Sequence, residues 1–501
     1  MPPRLVEPLS RHGWAWLLLL PLGALLWAMG SAVGSGGIPQ VIALSVAGAA
    51  LVTILGGVLL ARRVGWGALA LEVPVVLLLL STLVFRQRSA TQLAGDPLDP
   101  AAQFRVVAVG LAGVLGFFAL LWGQVRGERA TTLPFRLYAV YVLVVFAGAP
   151  GSVDPPLTAY RGVELAVALI VLAGARRSLG EKAGPRLEAT LYWFCIALLA
   201  AVWANVLLVP DEAVIRLANP AVPLQVQIQG VYPSIAANGV GLLGVVAAVW
   251  SPARIRRDAD QLGLGRPLAY LMAGLGTMTL FAAQYRTGYV ALAAVVAVYV
   301  MATGRKLVAT LLMGLVIGVA IWAPYATREA EPLLLRGQTV EQAGELSSRV
   351  VYWRHAIPVW EKSPLIGRGL LTASRFEVLA PLGLPYVAGL HGTWPEALLG
   401  TGIIGTAFLA LAFLITVQRA IIYVRRRRWA TPLVLLTLLA VRSITGPTFE
   451  SFSYTAMVFL WLALSLEQVR RRPAITDEPP VSALREEGGR LAPSPPGLPI
   501  R

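Results

Sequence analysis

Three histidines and one cysteine are all that 501 residues contain, and only 14% of the chain is charged. The lone Cys195 excludes an intramolecular disulfide framework. With so few such side chains, no His/Cys/Asp cluster falls at metal-ligand spacing, and no P-loop is present. There is no internal repeat of fixed period. Against this scarcity of charge stand 57% hydrophobic residues. A soluble domain of this length could not hide so much apolar surface, which implies an all-α, polytopic transmembrane helical bundle.

About 12–14 apolar runs are long enough to cross a hydrocarbon core of ~30 Å as helices. They centre near Leu20, Ala49, Val76, Leu115, Val142, Leu169, Leu198, Gly244, Gly274, Val295, Leu315, Ala407, Leu436 and Trp461, the fifth and sixth being short. The net charge of +16 raises the question of nucleic acid, but its distribution points elsewhere. The basic runs "ARR" (61–63), "RGER" (126–129), "ARRSLGEK" (175–182), "ARIRR" (253–257), "GRK" (304–306), "RRRR" (425–428) and "RRR" (470–472) fall at every second connection. That alternation is a positive-inside signal: both termini are expected in the cytoplasm, the other loops outside, with membrane lipids and not nucleic acid as surroundings. The N-terminal "SRHGWAWLLLLPLGALLWAMG" resembles a signal h-region, but with so many spans following it reads as a retained first helix.

One connection is much longer than the rest. The expected organisation is an N-terminal bundle over 1–324, a large outer-face loop over 325–392, further membrane helices over 393–470, and a Pro/Gly-rich, disordered cytoplasmic tail over 471–501. Within the loop, "ELSSRVVYWRHAIPVW" (345–360) predicts an amphipathic helix starting at Ser347 or Ser348. Its apolar side would be Val350, Trp353, Ile357 and Trp360, lying at the membrane surface, with Pro358 kinking or ending it. "SPLIGRGL" (363–370) reads as a turn whose two glycines permit a tight backbone path.

Three side chains carry chemical promise. Arg349 falls in the first turn of that helix, where a guanidinium joins unpaired backbone N–H groups and the positive dipole end, a combination that favours phosphate. Arg286 sits in "AAQYRTGYVALAAVV", a tight outer hairpin where an arginine runs against the positive-inside bias. His391, at the edge of a membrane helix in "HGTWPEALLGTGIIG", offers an imidazole for proton removal near neutral pH. Each has a plain alternative: arginines snorkelling to water, and a structural histidine. Their common outer-face position is what lifts them together. Arg368, between Gly367 and Gly369, is a weaker candidate for donor contact. His355 reads as a surface residue, and His12 lies on the cytoplasmic flank. The acidic residues of the outer loop (Glu329, Glu331, Glu341, Glu345, Glu361, Glu377) are scattered, so a metal-free mechanism without a cofactor is expected, arginines neutralising charge in place of a metal.

In this order, "GVYPSIAANGVGLLGVV" (230–246), "YRTGYVALA" (285–293), "SSRVVYWRHAI…SPLIGRGL" and "HGTWPEALLGTGIIG" (391–405) resemble the O-antigen ligase and polymerase superfamily of bacterial membrane glycosyltransferases. The resemblance implies inverting transfer of a glycan from an undecaprenyl-diphosphate donor. Its two essential arginines map onto Arg286 and Arg349, holding the diphosphate, and its loop histidine onto His391, acting on the acceptor hydroxyl. Where the family commonly has Asn and Leu, this chain has Gly392 and Pro395. The acceptor stays open between lipid A core, a second lipid-linked glycan and a protein hydroxyl. A lipid-glycan transporter is the alternative from another class. Transporters place ionisable groups near mid-membrane, and here only Arg442 and Glu164 look deeply placed. A purely structural scaffold is a further alternative.

Overall fold

The computed structural model describes residues 68–83, 99–122, 131–216, 225–258, 265–302, 304, 349–384, 389–427 and 430–466. Its helices are α1 (Val73–Ser81), α2 (Pro100–Trp122), α3 (Leu133–Gly148), α4 (Pro155–Leu179), α5 (Ala183–Leu208), a single turn α6 (Pro210–Ala213), α7 (Ala237–Asp258), α8 (Gly265–Ala282), α9 (Arg286–Ala302), α10 (Arg349–Trp360), α11 (Thr393–Arg427), α12 (Thr431–Thr445) and α13 (Tyr454–Ser465). Of the apolar runs, those centred on Leu20, Ala49 and Leu315 lie outside the described residues, and each of the others falls within one of these helices. By length and composition, Pro100–Leu121, Leu133–Gly151, Pro155–Leu208 and Thr393–Arg426 are long and apolar enough to cross a membrane. The protein is a polytopic all-α membrane protein.

The sixth run is not short. Asp154 caps it by accepting from the Leu157 amide at 3.1 Å, the prolines at 155 and 156 suit a first helical turn, and α4 runs for 25 residues. It looks shortened in the sequence because Arg161 and Glu164 interrupt the apolar pattern. In the fold Glu164 is fully buried, and it accepts from Arg105 of α2 and from Arg161 at 2.8 Å. Paired in this way, the charges are tolerated within the bundle.

The core centres on α13, whose residues are buried all round from Tyr454 to Leu464, as expected of a uniformly apolar helix. Trp461 stacks on Trp250 of α7, and Phe459 packs on Phe449, itself stacked on Phe413 of α11. Buried polar groups are satisfied across elements: the Tyr138 and Tyr141 hydroxyls donate to the carbonyls of Phe449 and Glu450, both at 2.7 Å. These bonds fix the connection between α12 and α13 in place. Elsewhere, Gly244 and Gly276 bring α7 and α8 into backbone contact, since a Cβ on either would meet the other's carbonyl oxygen at 2.6–2.7 Å. Small residues at such crossings are how membrane helices approach closely.

A feature absent from the sequence reading is a small antiparallel hairpin, β1 (Val214–Arg216) with β2 (Val226–Ile228), Val214 lying opposite Ile228. It clamps the corner between α8 and α9. Gln227 donates to the Ala283 carbonyl at 2.8 Å, and Gln284 donates back to the Val226 carbonyl at 2.7 Å.

Candidate active site

Arg349, His391 and Arg442 come together from three elements, and Arg286 follows Tyr285, whose hydroxyl meets Arg442. Arg286 is the first residue of α9 and Arg349 the first residue of α10. His391 lies two residues before the start of α11, and Arg442 is in the last turn of α12. Arg286 follows a corner in which Gln284 holds φ +50°, a left-handed backbone that costs a non-glycine residue of order 1–3 kcal/mol unless the surroundings enforce it. The reciprocal glutamine bonds to β2 supply that enforcement. The next residue, Tyr285, is buried and packs so closely on α7 that a Cβ at Gly241 would collide with its own.

Tyr285 joins the corner to the rest of the site. Its hydroxyl accepts from Arg442 Nη1 at 3.1 Å. The Arg349 guanidinium is half-buried, and burial pulls its pKa down. Tyr285 opposes that shift and the positive charge of Arg442 adds to it, so all three groups share one electrostatic neighbourhood. His391 belongs to the same neighbourhood. It is exposed on one side, yet partial burial lowers its pKa below the usual histidine range and the charge of Arg349 lowers it further. The imidazole is thereby held neutral at neutral pH, the form able to accept a proton.

The backbone at His391 is strained, with φ +54°, and a network built from two buried carboxylates holds it. Glu396, in the first turn of α11, accepts from the Leu390 amide at 2.9 Å, the Leu371 amide at 3.1 Å and Ser374 Oγ at 2.8 Å. From the opposite side, Trp353 of α10 donates to the Leu390 carbonyl at 2.9 Å. Thr393 Oγ1 donates to Glu450 Oε2 at 2.7 Å, an oxygen that also accepts the Thr448 and Phe449 amides. The doorway histidine is thus tied to α10, to the segment 371–374 and to the α12–α13 connection.

The turn "SPLIGRGL" has a definite purpose. Gly402 (φ 62°, ψ −167°) breaks α11 about two and a half turns after its start, exposing backbone groups that need partners. Residues 364–369 supply them: Ile403 and Ile404 amides donate to the Pro364 and Leu365 carbonyls, while Arg368 and Gly369 amides donate to the Leu399 and Gly400 carbonyls, at 2.9–3.1 Å. A Cβ at Gly367 or Gly402 would run into the opposing backbone.

Expectation and structure differ in three places. Helix α10 forms as expected and ends at Trp360, two residues past Pro358; Ser347 and Ser348 lie outside the described residues. Its buried positions, however, are Ala356 and Val359, and Ile357 is 51% exposed. Ala373, Val378, Leu390 and Leu399 pack against that face of α10, so small side chains sit innermost and allow close approach. The larger Trp353 and Trp360 flank an apolar groove of about 340 Å³ shared with Trp394 and Leu398 of α11. Arg368 is not gathered with the other cations: it pairs with Glu377 at 3.1 Å, which Lys362 also approaches at 3.8 Å. The reading of the sequence also passed over Glu396 and Glu450, and it left Arg442 outside the site. A glutamate opening an apolar helix is the signal that pointed to the first, because an acid there is costly without partners.

The substitutions at 392 and 395 go together. A Cβ at Gly392 would stand 3.2 Å from Pro395 Cδ, 3.2 Å from the Ile444 carbonyl and 3.3 Å from Trp353. Pro395 is harmless in the first turn of a helix, but it occupies the space that a side chain at 392 would need.

Residues 271–410 match the family model described as O-Antigen ligase. That stretch runs from α8 into α11 and contains Arg286, Arg349 and His391, whereas Arg442 lies beyond it. No curated protein matches the chain.

Proposed function

We propose, from the match of residues 271–410 to the O-Antigen ligase family model, that this membrane protein transfers a glycan from an undecaprenyl-diphosphate donor to an acceptor hydroxyl at the outer face of the cytoplasmic membrane. The observation that carries the reading is the grouping of the half-buried Arg349 with Tyr285 and Arg442 beside a histidine whose pKa is lowered. Arg286 enters the group as the neighbour of Tyr285. Arg286 opens α9, where backbone amides and the dipole add to the attraction for a diphosphate. The apolar groove beside α10 supports a lipid-linked donor over a soluble one.

In this mechanism the neutral His391 imidazole takes the proton of the acceptor hydroxyl as its oxygen attacks the anomeric carbon. The new carbon–oxygen bond forms on the face opposite the diphosphate. The bond from the anomeric carbon to the diphosphate oxygen breaks, and its electron pair stays with the leaving group, where Arg286 and Arg349 stabilise the growing negative charge. Guanidinium charge serves here in place of a divalent metal. The alternation of basic runs supports a topology with both termini in the cytoplasm and this constellation outside.

The test is purified protein in lipid nanodiscs with an undecaprenyl-diphosphate glycan, offered lipid A core, a second lipid-linked glycan or a serine-containing protein as acceptor. Inverted glycosidic product with release of undecaprenyl diphosphate, insensitive to EDTA, is expected, and the acceptor consumed distinguishes ligase, polymerase and protein-glycosylating activity. Absence of transfer to all three, or turnover abolished by EDTA and restored by Mg²⁺ or Mn²⁺, refutes the mechanism.

A further inference from the structure

Arg442 is a guanidinium without an assigned purpose. It is largely buried in the last turn of α12, remote in sequence from the arginines of the matched family region. Arg105, Arg161, Arg186 and Arg368 pair with Glu164, Glu72 or Glu377, whereas Arg442 pairs with no carboxylate among the described residues. Nη1 is used on the Tyr285 hydroxyl, a neutral partner. Nε is fully buried and, among the described residues, donates to nothing, although a buried donor left unpaired costs about 1–3 kcal/mol. The charge of Arg442 also bears on Arg349, and among the described residues no carboxylate pairs with either. A buried cation near a like charge is retained where an anion comes to it.

We propose that Arg442 is a third guanidinium of the diphosphate subsite, contacting the leaving group through its unpaired face while Nη1 keeps it registered on Tyr285. This inference rests on the transfer reading above. The ordinary alternative is an arginine that complements the negative end of α12, since its guanidinium lies over Gly446 where the helix dipole favours a cation. That role satisfies charge but not the idle Nε. Nor does it explain why the side chain reaches the hydroxyl of the residue preceding Arg286. With Arg442 included, the leaving group meets cations from α9, α10 and α12, and release of the product carrier becomes the step most sensitive to their number.

The experiment measures binding of undecaprenyl diphosphate to the full chain in zwitterionic nanodiscs, with inorganic pyrophosphate as a soluble competitor. Arg442→Gln is expected to weaken the lipid diphosphate about 10- to 100-fold, the loss of one charge-assisted contact, and to weaken pyrophosphate competition in parallel. Arg442→Lys keeps the charge and the fold, and should fall between the two. Tyr285→Phe, which removes only the anchoring hydroxyl, should weaken binding less than about 3-fold by the same reckoning. Arg442→Gln within 3-fold of wild type, while Arg349→Gln loses binding, sinks the inference and leaves the transfer reading standing. Equal losses in Tyr285→Phe and Arg442→Gln make Arg442 a holder of Tyr285 only, which also overturns it. If wild type binds neither probe, the transfer reading itself fails and takes the inference with it.

Discussion

Glu396→Gln changes one atom of a buried group and should disable the site without unfolding the protein. The carboxylate is 2% exposed, and its two oxygens receive three donors: Leu371 N and Ser374 Oγ on Oε1, and Leu390 N on Oε2. Only an acceptor-only group satisfies all three. Glutamine can keep its carbonyl oxygen on the Oε1 side, where two donors converge, but its NH2 then faces the Leu390 amide, donor against donor. The loss is one hydrogen bond to a charged acceptor and one unpaired buried N–H, about 1–3 kcal/mol. That cost falls on the residue next to His391, whose left-handed backbone is itself strained. If all of it goes into relaxing the loop, the population with His391 in place drops about 5- to 160-fold. Turnover of the lipid-linked glycan by the nanodisc protein should fall by a factor in that range. Affinity for undecaprenyl diphosphate should stay near wild type, because the three arginines are on other segments. The apparent unfolding midpoint should drop by only a few degrees. Turnover within twofold of wild type would falsify the view that Glu396 positions the histidine. A loss of diphosphate binding equal to the loss of turnover would show instead that the whole outer face had collapsed.

His391→Ala should slow the chemical step by about 10²–10⁴-fold with much less change in donor affinity, read from single-turnover rates against product-binding constants. In the wild type the rate should fall as pH drops through a histidine pKa held below its ordinary value by burial and Arg349, because the protonated imidazole cannot accept a proton; a flat profile below neutrality speaks against a base at 391. Arg286→Lys and Arg349→Lys should each lose most activity although charge is kept, since lysine cannot make the planar two-point contact with phosphate oxygens; near-wild-type rates in both folded variants assign these arginines to interfacial anchoring. Gly402→Ala must place a Cβ against the Leu365 backbone at φ +62°, so folding yield and thermal midpoint should fall sharply, and a normal midpoint contradicts the pairing of 364–369 with the broken helix.

The parts of this molecule legible in its sequence are those where one segment decides the matter alone. Apolar length places the helices, because each span satisfies its own backbone hydrogen bonds. An arginine in a hairpin with no room for a loop, or a histidine at a helix doorway, is visible in a dozen residues. Tertiary pairing hides the rest. Arg161 and Glu164 seem to interrupt a span until Arg105 of α2 is placed beside them. Three-residue strands carry no usable alternation, so the hairpin that fixes the Arg286 corner is invisible before Gln227 and Gln284 meet. Ile357 follows the apolar stripe of α10 yet faces outward, because Ala373, Val378, Leu390 and Leu399 pack on the face that holds Ala356 and Val359. Arg368 resembles a ligand until Glu377, nine residues on, neutralises it.

The boundary of the family match makes the same point in energetic terms. Residues 271–410 hold the arginines of α9 and α10 and the histidine before α11, yet none of these is positioned by that stretch alone. Gln284 is held by β2, Tyr285 by Arg442, and Thr393 by Glu450. Glu450 is anchored in turn through Phe449 and its own carbonyl to the tyrosines of α3. Strained backbone at 284 and 391 persists only where surroundings over-determine it. Those surroundings come from helices far away in the chain. A site at helix ends and doorways therefore depends on the wider bundle for its geometry, and substitutions at Tyr138 or Tyr141 of α3 should reach His391 through this network.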